Sequence, residues 1–240
     1  MVRPAFYAAR PGGWRDWWTV LHPPYTAWHL SYVAIGAALA PHTDVPRLVA
    51  TLLAFFLAVG VAAHAFDELH GRPLGTAIPT PWLIGVGVVG LLLACVLGLI
   101  GVARVGPGLI VFVVIGPVLV LGYNLELFGG WIHTDLGFAV AWGAFPVLVA
   151  FFVQAERLDV AALLGAVAAL GLSLAQRSLS TPARTLRRRV SHVEGTVTMD
   201  DRSVRDLDTA TMLEPLERTL GVLSWSMVAL AVALVAARVL

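Results

Sequence analysis

Three short stretches of this 240-residue chain carry side chains that could do chemistry. The densest is His64-Ala65-Phe66-Asp67-Glu68-Leu69-His70-Gly71-Arg72-Pro73-Leu74. On a continuing helix, His64, Asp67 and Glu68 share a face by i,i+3 and i,i+4 spacing, and Asp67 and His70 are also three apart. Carboxylates spaced in this way can hold Mg²⁺ through oxygen. The mixed set His64, Asp67, Glu68 and His70 could instead hold a transition metal. The order HxxDExxH is not the HExxH of zinc proteases.

A second stretch reads Tyr123-Asn124-Leu125-Glu126, then Gly129-Gly130-Trp131-Ile132-His133-Thr134-Asp135. The Gly pair should turn the chain and bring Glu126, His133 and Asp135 to the membrane face of the first cluster. Taken alone, it reads as an interfacial loop with a Trp anchor. The third stretch runs from Gln176-Arg177-Ser178 through Arg184 to Arg187-Arg188-Arg189. Guanidinium forks suit phosphate oxygens, and a basic run beside a span also follows from topology alone.

The elements that must position these residues are membrane helices. Hydrophobic residues make up 58% of the chain and charged residues 13%, with a mean hydropathy of +0.82. Soluble domains carry about 25% charge. A soluble globular domain, a disordered chain and a nucleic-acid-binding domain are therefore excluded. All 16 basic residues are Arg, and the formal charge is +1. The single cysteine, Cys95, allows no intrachain disulfide and no CxxC site. The first 18 residues contain Arg3, Arg10, Arg15 and three Trp but no apolar core of signal-peptide type. Trp14, Trp17 and Trp18 read as an interfacial anchor.

Seven apolar stretches follow, at about 26–41, 46–66, 81–103, 107–125, 136–154, 159–176 and 219–237. A span needs roughly 20 apolar residues, so the first is short. Pro117 and Pro146 fall inside spans and should kink them. The stretches lack the alternation of a membrane barrel, which leaves a helical bundle. The expected organisation is an interfacial segment 1–25, a six-helix core 26–177, a cytoplasmic loop 178–218 and a last span 219–240. Twelve Arg fall on the side of the N-terminus and four on the other. The positive-inside rule then places the N-terminus in the cytoplasm. His22, His29, His64, His70, His133 and His192 map to that same side, and His42 alone to the other. Ionisable groups at a membrane boundary mark function by default, because hydrocarbon penalises them.

These residues resemble UbiA-type intramembrane prenyltransferases over about residues 20–190. The entry His22-Pro23-Pro24-Tyr25, the run Ile35-Gly36-Ala37-Ala38-Leu39-Ala40, the acids Asp67 and Glu68 before Arg72-Pro73-Leu74, then Tyr123, Leu136-Gly137 and Trp142-Gly143 are similar to the family's landmarks. The chain departs from the family in three ways. It lacks the NDxxDxxxD run, and Gln176-Arg177-Ser178-Leu179-Ser180 stands where a second acidic motif belongs. It also has seven apolar stretches where the family has nine helices.

The resemblance implies a fold and a reaction. The fold is an all-α, UbiA-like bundle in the plasma membrane of a prokaryote, with its site on the cytoplasmic side. The reaction is prenyl transfer from an isoprenoid diphosphate, assisted by Mg²⁺, to a lipophilic acceptor. It implies Asp67, Glu68, Arg72 and Tyr123 as catalytic and Arg72, Arg177 and Arg184 as diphosphate-binding. Asp67 and Glu68 would be metal ligands, His29, Asn124, Glu126 and His133 would line the cavity, and His64, His70 or His133 would stand in for lost carboxylates. Two other readings stay open at this point. One is a His/carboxylate metal-dependent membrane enzyme. The other is a noncatalytic UbiA-fold protein that binds a lipid or partner and has a filled core.

Overall fold

The computed structural model describes residues 4–240, apart from the side chain of Phe128. Arg3 lies outside the described residues. Eight helices follow in order: α1 Trp14–Val20, α2 Pro23–Leu39, α3 Val45–Leu69, α4 Thr80–Val105, α5 Pro107–Asn124, α6 Asp135–Ala155, α7 Val160–Arg188 and α8 Thr209–Val239. Helices α3 to α8 are long and apolar enough to cross a membrane. Helix α2 has 17 residues, about 25 Å at 1.5 Å per residue. It nevertheless sits at the centre, with Trp28, Tyr32 and Val33 fully buried. Its neighbours are α3, α6, α7 and α8.

The outer faces are apolar. Helix α4 exposes Ile84, Val88, Leu92, Val96 and Leu99, the surface that a bilayer covers and water would not. Exposed Trp14, Trp18, Trp82 and Trp131 sit on or beside the loops at one end, as interfacial aromatics do. At the opposite end, Arg47 donates to the carbonyls of Val153 and Arg104 and pairs with Glu156 at 3.0 Å. Asp44 caps α3 through the amide of Arg47, and Gln154 bonds both backbone groups of Asp44.

Two helices widen into π-helical turns, α3 at Phe56–Ala63 and α6 at Val140–Ala144. Pro146 explains part of the second. It has no N–H to give the Trp142 carbonyl four residues back, and that carbonyl is met by His29 Nδ1 at 3.0 Å. The expected kink is thus an inserted π turn. Pro182 does not stop α7, which continues to Arg188, and α8 begins at Thr209 under an Asp208 cap. About half of the loop expected over 178–218 is therefore helix, at its two ends. Its remainder carries an exposed hairpin, β1 Gly195–Thr198 with β2 Val204–Leu207. Arg187 and Glu217 form an ion pair that ties α7 to α8.

Candidate functional site: a cationic chamber beside an apolar channel

At the end of the bundle where α2 begins and α3 and α5 end lies a chamber of about 460 Å³. Helix α7 supplies one wall. Arg177, Thr181, Arg184 and Arg188 line it, and steps of four, three and four residues put them on one helical face. Gln176 and Ser180 lie beside them. The opposite wall comes from α3 and α5, with His64, Asp67, Tyr123 and Asn124. Ala5, Tyr7 and His22 reach it from the N-terminal segment, and His29 from α2.

The histidines have assignable tautomers. A carbonyl can only accept, so Nδ1 of His29, His64 and His133 must carry the proton given to Trp142, Gly60 and Tyr123. In the neutral ring of each, Nε2 then holds the lone pair. His22 is the reverse. The Tyr7 hydroxyl lies 2.5 Å from its Nδ1. Burial pushes the Tyr7 phenol well up, so it keeps its proton, and among the described residues His22 Nδ1 is the one acceptor in reach of that proton. His22 then carries N–H at Nε2, a buried atom with no partner among the described residues. Burial, followed by the neighbouring His64, holds His22 well below the usual histidine range. Its ring stacks on His64 with centroids 4.3 Å apart. Gln176 Oε1 is a second buried atom without a partner among the described residues.

The expected site residues divide sharply. Asp67, Tyr123, Arg177, Arg184, His29, Asn124, Glu126, His133, His64 and His70 all line the chamber. Glu68 and Arg72 do not. The Glu68 carboxylate is fully buried and accepts from the amides of Leu74 and Thr76 and from the Thr76 hydroxyl at 2.8–2.9 Å. Arg72 donates to the Ile78 carbonyl and Thr80 hydroxyl. Asp16 adds a bond from the amide of Ala77. These three residues knot loop 70–79, which explains Arg72-Pro73-Leu74 as loop structure. Glu68 and Arg72 therefore have structural partners in place of the ligand-binding roles expected for them.

The metal set does not assemble either. Among the described residues, no group of three or more His, Cys, Asp or Glu side chains could hold a metal ion. His70 lies 3.6 Å from Glu126, and His133 lies 4.0 Å from the same carboxylate. With Glu68 committed to the loop and no acid from 176 to 180, the side chains present do not fit Mg²⁺ held between two acidic motifs.

Below the chamber lies a second cavity of about 490 Å³. Ala54, Ala58, Cys95, Gly98, Phe112 and Phe145 line it, and it reaches Arg47 and Arg104 at the far end. Val59 and Trp142 line both cavities, and both sit in the π-helical turns. π-Turns recur at functional sites because they re-aim side chains and free carbonyls. Here they form the wall that the polar chamber and the apolar channel share.

Sequence reasoning treated Arg188 as topology and passed over Tyr7. The 177/181/184/188 spacing would have flagged the first. No local signal marks the second, because a tertiary fold-back brings it to His22. No family model matches the chain, and no curated protein or solved structure matches it.

Proposed function

We propose that the protein binds an isoprenoid diphosphate, its head in the cationic chamber and its tail in the apolar channel, and transfers the prenyl group to a lipophilic acceptor. One observation carries this reading: the two cavities share Val59 and Trp142 as a common wall. A ligand that suits both is an anion attached to a long apolar chain. Of the landmarks of the UbiA-type resemblance, Asp67, Tyr123 and Trp142 line the chamber and support it, whereas Glu68 and Arg72 do not. On this reading α2 is a seventh span, and the excess of Arg puts the N-terminus and the chamber on the cytoplasmic side of a prokaryotic plasma membrane.

The chemistry would run as follows. The allylic C–O bond breaks and its electron pair leaves on the diphosphate oxygen. Arg184 and Arg188 face the charge that grows there, which is electrostatic stabilisation of the transition state. An acceptor nucleophile forms a bond to the allylic carbon. The acceptor's proton passes to an imidazole Nε2 lone pair of His29, His64 or His133. Apolar walls keep water from the cation.

Absence of a three-donor metal group among the described residues favours one second reading, a lipid-binding protein that holds the same ligand without breaking it. Purified protein in nanodiscs separates the two. With geranyl, farnesyl and geranylgeranyl diphosphate, affinity should rise with chain length, and a membrane-lipid extract should trigger pyrophosphate release. Binding without release selects the second reading. Affinity independent of chain length overturns both.

A further inference from the structure

The chamber has more positive charge than its own acids can meet. Four guanidinium groups, Arg177, Arg184, Arg188 and Arg189, line it against two carboxylates, Asp67 and Glu126. Arg177 is paired at 2.7 Å with Asp135 and lies over the Phe138 ring. Among the described residues, Arg184 donates only to the Thr181 hydroxyl at 3.4 Å, and Arg188 only to the Pro4 carbonyl at 3.2 Å. Among the described residues, neither has a carboxylate at ion-pair distance. Asp67 acts on both only at longer range; partly buried guanidinium groups without an ion-pair partner are costly, and a bound anion lowers that cost.

A second, independent observation points the same way. His22 is 9% exposed and lines the chamber, and its Nε2–H is an orphan donor. Buried donors are almost always satisfied. An oxyanion seated against Arg184 and Arg188 would satisfy it.

We infer that the chamber binds a phosphate or diphosphate head directly through Arg184, Arg188 and His22, without a divalent cation. The inference rests on the isoprenoid reading only for the ligand's tail. A phosphate monoester carries about −1.5 to −2, and Arg184 and Arg188 present two positive charges to it. Each guanidinium offers five donors in a fork that fits phosphate oxygens. Magnesium carried in on a diphosphate usually needs one or two carboxylates, and Asp67 is placed to be one. Binding with and without the metal is therefore the decisive comparison.

The test uses the full chain in nanodiscs and calorimetric titration with inorganic pyrophosphate, farnesyl diphosphate and farnesol, in EDTA and in magnesium. Pyrophosphate and farnesyl diphosphate should bind in EDTA. Magnesium should change either affinity by less than about twofold, whereas Arg188→Gln should weaken both by about tenfold. Salt should weaken binding to wild type in EDTA, a readout that stands even if Arg188→Gln fails to fold. Binding that appears only with magnesium overturns the inference and leaves the isoprenoid reading standing. Pyrophosphate bound in EDTA as tightly as farnesyl diphosphate supports the inference and overturns the isoprenoid reading. If farnesol alone binds, the anion seat is overturned and the tail channel survives.

Discussion

Asp67 and Glu68 are neighbours in sequence with opposite surroundings. A helical step of about 100° turns one into the chamber and the other into loop 70–79. The difference is legible only from tertiary structure, since either acid aligns with the family landmark. It has a direct consequence for stability. Glu68→Ala leaves the Leu74 and Thr76 amides without their acceptor, and each orphaned donor costs about 1–3 kcal/mol. Its melting temperature in detergent should fall steeply, while Asp67→Asn should melt like wild type and change ligand affinity. Equal melting of the two variants would reject the assignment. His22 gives a pH dependence. It faces Tyr7, Tyr25 and His64, with His29, Arg184 and Arg188 acting on it from farther off. Its folded pKa lies below the unfolded value of about 6.5, so the unfolded chain binds the extra proton. Its contribution is therefore intact above about pH 6.5 and is lost as pH falls below that. Melting scans from about pH 7 down to about pH 5 should show the loss. His22→Gln should flatten the slope, leaving only what the other histidines contribute.

At the scale of elements, packing is set by small residues that composition flags but cannot rank. A Cβ at Gly36 of α2 would lie 2.5 Å from the Val147 carbonyl oxygen and 2.8 Å from its Cα. Both are backbone atoms and cannot step aside. Gly171 on α7 meets nothing within 4 Å. Gly36→Ala should therefore force α2 away from α6 and cost about 1–3 kcal/mol. Gly171→Ala should gain about 0.5–1 kcal/mol from helix propensity. Thermal melting of both in one detergent tests the pair, and a neutral Gly36→Ala would mean that α2 and α6 do not approach as described. The Pro signals were only half readable in the sequence. Pro146 marks a disturbed turn, but whether the turn kinks or widens depends on what meets the Trp142 carbonyl. That partner, His29, is 113 residues away in sequence. Pro182, by contrast, is absorbed within α7, whose Arg-rich last turn suits a helix C-terminus.

For the whole molecule, membrane class and the clustering of polar residues at one end could be read from hydropathy and Arg distribution, because both follow from the bilayer as solvent. The channel could not, because its wall residues are as apolar as those facing lipid. Its dimensions yield the last prediction. Arg47 and Val59 on α3 both line the channel; twelve residues separate them, or about 18 Å along the helix axis at 1.5 Å per residue. Ala50, Ala54 and Ala58 also line it, spaced by one turn each. They act as marks at increasing depth from the shared wall, in the order Ala58, Ala54, Ala50. A Phe at Ala58 fills the space next to Val59 and should remove the gain in affinity with tail length for every diphosphate. A Phe at Ala50 leaves the near channel open and should penalise only the longest tails. Inorganic pyrophosphate should bind both variants like wild type, since the chamber is untouched. Competition between geranyl, farnesyl and geranylgeranyl diphosphates on the three proteins reads out the order directly. Graded discrimination that follows depth means that the tail lies along α3. Uniform loss at both positions, pyrophosphate included, means that the helix has moved and the channel is not the tail's path. Discrimination at neither position means that the tail leaves the chamber into the bilayer, with the channel serving another apolar ligand.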